Sequence, residues 1–293
     1  MNTADYKIIN NTYIKDIVPN PKDFVTIEIG DSKQTLFHPQ FKLLRWNNEV
    51  NASFRLVNSE TDWPRITHNN HKIKYVKNKI EAHFYEKAEG RYEFEVILKE
   101  KPTTNVIEMT IQTKDLDFFY QRPLWQDAGL PAPTAECNDT VCINTGGMRN
   151  AHRPENVVGS YAVYYKDCPP NFLGGKEYRS GKAFHIFRPE VIDAVGKKVW
   201  ADLHINVVRG IMTITIPQHF LDTGKYPLVV DPEFGYHPAD PSAFSTDTND
   251  NTNSYMKAHS TPASSGSMTS MSIYGKINAG TPGFNPALYS DGT

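Results

Sequence analysis

The feature that most constrains this chain is an alternation of apolar and polar residues with a period of two. In 91–99, Tyr92, Phe94, Val96 and Leu98 fall on one side and Arg91, Glu93, Glu95 and Lys99 on the other. Val25, Ile27 and Ile29 repeat the pattern, as do Ile80, Ala82 and Phe84. So do Ile107, Met109 and Ile111, set against Glu108, Thr110 and Gln112. Successive side chains of a strand point to opposite faces, so these runs predict antiparallel strands with one apolar and one wet face.

Strand-like runs recur near 24–29, 41–46, 49–57, 72–77, 79–86, 91–99 and 105–112, and again near 157–166, 182–188, 197–205, 211–216 and 226–230. Short turns such as Lys87-Ala88-Glu89-Gly90 link several of them. Close spacing with little helix between predicts an all-β antiparallel sandwich or barrel rather than an α/β fold, and the sandwich is the reading adopted. Aromatic content of 12% and 20 prolines agree with short strands and fixed turns. One short helix is expected at 217–222, with Pro217 at its start and Gly224 past its end. The long connection at 121–155, rich in Pro and Gly, is of a kind that tends to carry function. Its Trp125 reads first as a ring folded back on the sandwich, second as a contact residue.

Three segments follow: an N-terminal arm (1–23), a sandwich domain (24–236) and a third part (237–293). In the arm, Tyr6, Ile9, Tyr13 and Ile17 share a helical face, but Asn10 and Asn11 interrupt it. A weak helix and an arm docking on a neighbour are both open there. No basic stretch followed by an apolar one opens the chain, so no secretory signal is expected. Residues 237–270 are rich in Ser, Thr, Asn, Asp, Ala and Pro; 270–275 and 286–290 then resemble two strands. Met271, Ile273, Tyr274, Leu288 and Tyr289 are too few for a private core, so 237–293 is read as the start of a second, jelly-roll-like β module completed by contacts outside the first domain. No run of about 18 apolar residues predicts a membrane span.

Charge and motifs narrow the chemistry. With 31 Lys and Arg against 33 Asp and Glu, the net charge is −2, and a nucleic-acid binder's basic footprint is missing. No G-x-S-x-G, P-loop or G-x-G-x-x-G sequence occurs. Cys137, Cys142 and Cys168 have no zinc or redox spacing and read as ordinary buried or loop cysteines. Asp247-Thr248-Asn249-Asp250-Asn251 opens like a calcium loop, but Thr252 replaces its glycine and Ala258 its bidentate glutamate, so a solvated linker is the better reading. His185 and His204 lie in strands; hydrogen-bonded sheet histidines are expected ahead of a shared metal site. Glu93 and Glu95 sit i, i+2 near glycosidase carboxylate spacing, yet glutamates on a wet face are ordinary filler. No catalytic, cofactor-binding or metal-ligating residue is assigned, and no enzyme activity or cofactor is expected. Phe118-Phe119-Tyr120, Tyr161, Tyr164-Tyr165 and Trp200 contain neighbours that cannot share one face, so some are exposed or covered by another element.

Four stretches carry a resemblance: 105–121; 153–164, which includes Arg153-Pro154-Glu155-Asn156; Gly181-Lys182-Ala183-Phe184-His185-Ile186-Phe187-Arg188-Pro189; and Tyr226-Pro227-Leu228-Val229-Val230-Asp231-Pro232-Glu233-Phe234-Gly235-Tyr236. Together they resemble uncharacterised all-β proteins of phage and bacterial metagenomes, and the last is similar to the end of a sandwich module near the start of large bacterial surface proteins. The likeness spans roughly 24–236, and its motifs are turns and edges. Glu233 departs from the usual threonine, with no consequence expected beyond the linker. The resemblance implies an architectural, exterior role: a phage virion component (capsid decoration, tail or fibre) or a surface filament subunit, with copies of itself and other virion or surface proteins as partners. The rival is a glycan-binding adhesin module whose exposed aromatics stack on host sugars. A virion or extracellular surface location follows from either.

Overall fold

The computed structural model describes residues 5–20, 23–57, 65–69, 72–88, 90–123, 126, 155–170, 173–178 and 181–236. By compactness the chain divides into Met1–Ala239 and Asp240–Thr293. The second unit lies outside the described residues, as do Trp125, Cys137, Cys142, the Asp247–Asn251 run and the two strands expected beyond 270.

The first unit is all-β. Its strands are β1 (Lys7–Ile9), β2 (Thr12–Asn20), β3 (Asp23–Ile29), β4 (Gln40–Arg45), β5 (Val50–Leu56), β6 (Arg65–Asn69) and β7 (Lys72–Val76). They continue as β8 (Ile80–Ala88), β9 (Arg91–Leu98), β10 (Val106–Lys114), β11 (Leu116–Tyr120), β12 (Tyr161–Tyr165) and β13 (Lys182–Ile186). The last are β14 (Glu190–Ile192), β15 (Lys198–Trp200), β16 (Asp202–Asn206), β17 (Ile211–Thr215), β18 (Leu228–Asp231) and β19 (Glu233–Gly235). One short helix, α1 (Gln218–Thr223), precedes β18. Gly224 ends it in extended backbone, where a Cβ would lie 2.7 Å from the Phe220 carbonyl oxygen.

Two antiparallel sheets result. The first runs β1-β2-β3-β4-β5-β10-β17-β16. The second runs β11-β12-β13-β19-β9-β18-β14-β15, with β8, β7 and β6 continuing from β9. It is forked. On one flank, β9 pairs with β18 through Leu98–Val96 and with β19 through Glu93–Arg91; from there β14 and β13 diverge. At Asp115, with φ of 53°, the chain passes from β10 in the first sheet to β11 in the second.

The alternation settles what faces inward. β3 buries Val25, Ile27 and Ile29, and β10 buries Ile107, Met109 and Ile111. β9 contributes Tyr92, Phe94, Val96 and Leu98. Rings bind the layers: Phe54 of the first sheet lies 4.7 Å from Phe234 of the second, and Phe41 lies 4.9 Å from the same ring. Such pairs each add about 0.5–1.5 kcal/mol beyond the area they bury. A charged strap also joins the sheets. Arg45 on β4 makes a two-pronged ion pair with buried Asp23, at 2.6 and 2.5 Å, and donates to the Lys182 and Ala183 carbonyls of β13 at 3.1 and 2.8 Å.

The N-terminal segment differs from both sequence expectations, helix and docking arm. Residues 7–9 and 12–20 are strands that extend the first sheet. The reason is local: Asn10 and Asn11 adopt φ of 45° and 60°, and asparagine tolerates this two-residue hairpin turn. The apparent helical face then becomes a hairpin in which Tyr6 and Tyr13 pack edge to face at 6.5 Å.

Candidate functional site

Two places concentrate chemistry-bearing side chains: the outer face of the second sheet around β9, and the edge strand β11.

On β9, Glu93 is in register with Tyr85 of β8 on one side and Glu233 of β19 on the other. The expected wet face is closed at this position, where the Lys87 side chain lies on Glu93 and bridges it to Glu233. The Glu93 side chain is 0% exposed. Lys87 Nζ donates to its Oε1 at 2.5 Å and lies 3.3 Å from Glu233 Oε2. Arg91 grips Glu233 with two hydrogen bonds of 2.5 and 2.7 Å. Glu233 therefore belongs to a strand and an ion-pair network inside the sandwich, where no consequence of this residue was expected beyond the linker. Glu93 and Asp231 flank the same handover of β9 from β18 to β19, and each keeps one carboxyl oxygen, Oε2 and Oδ1, that is buried without a donor among the described residues. Burial, then the Asp231 carboxyl, pushes Glu93 up to about 9 against the pull of Lys87; burial also raises Asp231.

Glu95, two residues on, has the opposite fate. Burial pushes it up, but hydrogen bonds from His83, Tyr85 and Lys72 outweigh this and hold it at about 2. Tyr85 Oη and Lys72 Nζ donate to it at 2.6 and 3.0 Å. The two glutamates that look equivalent in sequence thus sit in contrasting environments. Glu93 is shut from solvent, so it can store a proton but cannot meet a substrate. Lys87, 47% exposed, and Arg91, 44% exposed, are the members of the cluster that reach water.

The β11 edge carries the exposed aromatics. Phe118 turns inward, 6.4 Å from Phe184, while Phe119 is 37% and Tyr120 49% exposed. Tyr164 supports Phe119 edge to face at 5.6 Å, and Tyr161 supports Tyr120 at 5.3 Å. Tyr161 is itself buried and accepts the Ile205 amide at 3.1 Å. Tyr165 stacks on buried Trp46 at 5.6 Å, and its hydroxyl donates to Glu49 at 3.2 Å. Glu49 also takes the Tyr178 hydroxyl at 3.0 Å and pairs with Lys176. Trp200 donates to Glu155 at 3.2 Å beneath the Arg188 guanidinium. Other apolar side chains open to solvent include Ile8 on edge strand β1, Leu173, Val195 and Val208, the last 99% exposed at the tip of the β16–β17 hairpin.

The remaining residues singled out in the sequence are dispersed. His185 on β13 and His204 on β16 are in different sheets. Ser160 Oγ contacts His185 Nε2 at 2.6 Å and donates to the Val157 carbonyl at 2.5 Å. With that proton committed, His185 is the donor, and both side chains are buried. The pair is a structural hydrogen bond rather than a nucleophile and base. Cys168 is an exposed free thiol. Among the described residues, no group of three or more His, Cys, Asp or Glu is placed to hold a metal ion, and no helix is long and apolar enough to cross a membrane. No protein-family model matches the chain, and neither a curated protein nor a solved structure matches it.

Proposed function

We propose that this chain is a structural subunit of an extracellular assembly, a phage virion component or a surface filament subunit, without catalytic turnover of its own. The carrying observation is strand β11, which ends the second sheet among the described residues and presents Phe119 and Tyr120 to solvent. Soluble proteins blunt such edges with charge, proline or cover, so an edge dressed in aromatic rings is suited to a neighbouring subunit. The exposed Ile8 and Val208 add contact points elsewhere on the sandwich, a distribution that fits packing against several neighbours better than one pocket. The interior supports the same reading: an ion-pair strap and cross-sheet aromatics join the two layers.

Electron microscopy of particles purified from the source, with an antibody raised against this chain, tests the proposal. Label at regular positions on a particle or filament is the expected result; the chain recovered only as a free protein argues against it. A second reading, a glycan-binding module, draws on the exposed rings of Phe119 and Tyr120, which could stack on sugar faces. A glycan array separates the two, since specific binding lost in Tyr120→Ala would favour the adhesin.

A further inference from the structure

We propose that Glu93 and Asp231 share a single proton, and that this proton fastens β18 and β19 to β9 at the fork of the second sheet.

The argument starts from charge. Among the described residues, three carboxyl groups, Glu93, Asp231 and Glu233, and two cations, Lys87 and Arg91, lie around the fork. Their neighbours are already matched. On the remaining elements, Glu95 of β9 is served by Lys72 of β7 and by His83 and Tyr85 of β8. Glu190 of β14, in register with Asp231, pairs with Lys198 of β15 at 2.6 Å. Three negative charges against two positive leave one in excess, in a place where Glu93 has no contact with water. An uncompensated buried charge is expensive, and a group so placed takes up a proton instead.

Geometry says where the proton goes. Glu93 Oε1 is occupied by Lys87, and both Glu233 oxygens by Arg91. Glu93 Oε2 and Asp231 Oδ1 are buried, with no donor among the described residues facing them. Two ionised carboxylates are acceptors only, so their approach is repulsive until one carries hydrogen. A single proton converts it into an O–H···O⁻ bond, of the strong charge-assisted kind. The environment that pushes Glu93 up to about 9 agrees with a proton held at neutral pH.

The position gives the proton its mechanical consequence. Asp231 ends β18, Glu233 begins β19, and Pro232 between them accepts the Phe94 amide at 3.2 Å. The carboxyl pair therefore sits where β9 hands over from one arm of the fork to the other. Removing the proton sets two like charges against each other at that handover, and the least costly relief is for the 228–236 segment to leave β9. Because the proton is held above a carboxyl's ordinary range, its stabilisation is complete below about pH 4.3 and is lost as pH rises through about 9.

Two measurements on the full chain test this. Infrared titration of the wild type should show a protonated-carboxyl carbonyl band at neutral pH that disappears as pH passes about 9, and Glu93→Gln and Asp231→Asn should each remove it. Hydrogen exchange, corrected for intrinsic pH dependence, should show the 228–236 amides losing protection in the wild type from about pH 7 to about pH 10 while Glu93→Gln keeps it. Absence of the band in the wild type at neutral pH overturns the proposal, and that measurement needs no variant to fold. So does a band that survives both substitutions, or equal loss of protection in Glu93→Gln and the wild type.

Discussion

Asp23→Ala should be among the most damaging single changes in the sandwich. Asp23 is fully buried, and its carboxylate neutralises an Arg45 side chain that is only 4% exposed. Without it the guanidinium keeps the Lys182 and Ala183 carbonyls and the faces of Trp46 and Tyr236, at 4.7 and 5.4 Å, but no countercharge. Its Nε already lacks a partner. Breaking a buried pair by deleting one member costs about 3–5 kcal/mol, because the survivor's desolvation is no longer offset. For a domain of this size that corresponds to a melting midpoint lower by roughly 6–20 °C. The pair as a whole is worth far less, since replacing both members by apolar groups of similar volume is often neutral or stabilising. Urea unfolding of Asp23→Ala, together with a cycle of Asp23→Leu, Arg45→Met and the Asp23→Leu/Arg45→Met double variant, isolates the coupling. The double variant should recover most of the stability lost in Asp23→Ala. A loss under about 1 kcal/mol in Asp23→Ala, or a double variant no better than the sum of the singles, would refute the claim that the charge, rather than packing, holds the strap.

Three further outcomes follow from local geometry. Gly30→Ala should destabilise, because φ is +111° and the added Cβ would lie 2.8 Å from Thr12 Oγ1; unchanged thermal unfolding would contradict this. Asn10→Val should cost roughly 1–2 kcal/mol by forcing a β-branched residue into a left-handed turn, whereas Asn11→Gly should be tolerated, as chemical unfolding would report. Glu95 is held at about 2, so it contributes stability that is present above an ordinary carboxyl's range and lost as pH falls through about 2; Glu95→Gln should flatten the acid limb of a stability–pH curve, and an unchanged limb would count against the assigned contacts.

Where sequence and structure agree, the reason is that a buried face was written in one strand's own alternation. Val25, Ile27 and Ile29, or Ile107, Met109 and Ile111, need no partner to be recognised as the inner face. The strands not anticipated are short or lack that signature. β14 and β19 have three residues each, and β11 reads as an aromatic run because it begins at the Asp115 corner. β1 and β2 were obscured by Asn10-Asn11, which reads as an interruption until it is recognised as a hairpin turn. The carboxylate cluster was legible only in part. Glu93 and Glu95 are conspicuous together, but what separates them is pairing with residues more than a hundred positions away. Local pattern says which side of β9 a glutamate occupies, and long-range register decides whether that side is wet. The split of Phe118 from Phe119 is the reverse case, since adjacent residues on a strand face opposite ways, whereas Tyr120 shares the side of Phe118 and its exposure at the strand's end is not written in the alternation.

The central claim is that exposed strand edges make this chain a building block, and self-association tests it most directly. Multi-angle light scattering across a concentration series should show the full chain forming defined species larger than its 33.2 kDa monomer. A Phe119→Ser/Tyr120→Ser variant with unchanged far-ultraviolet circular dichroism should shift toward monomer, because both side chains lie on the exposed edge and leave the core intact. A chain that stays monomeric at every concentration, or a variant that associates as the wild type does, would contradict the account.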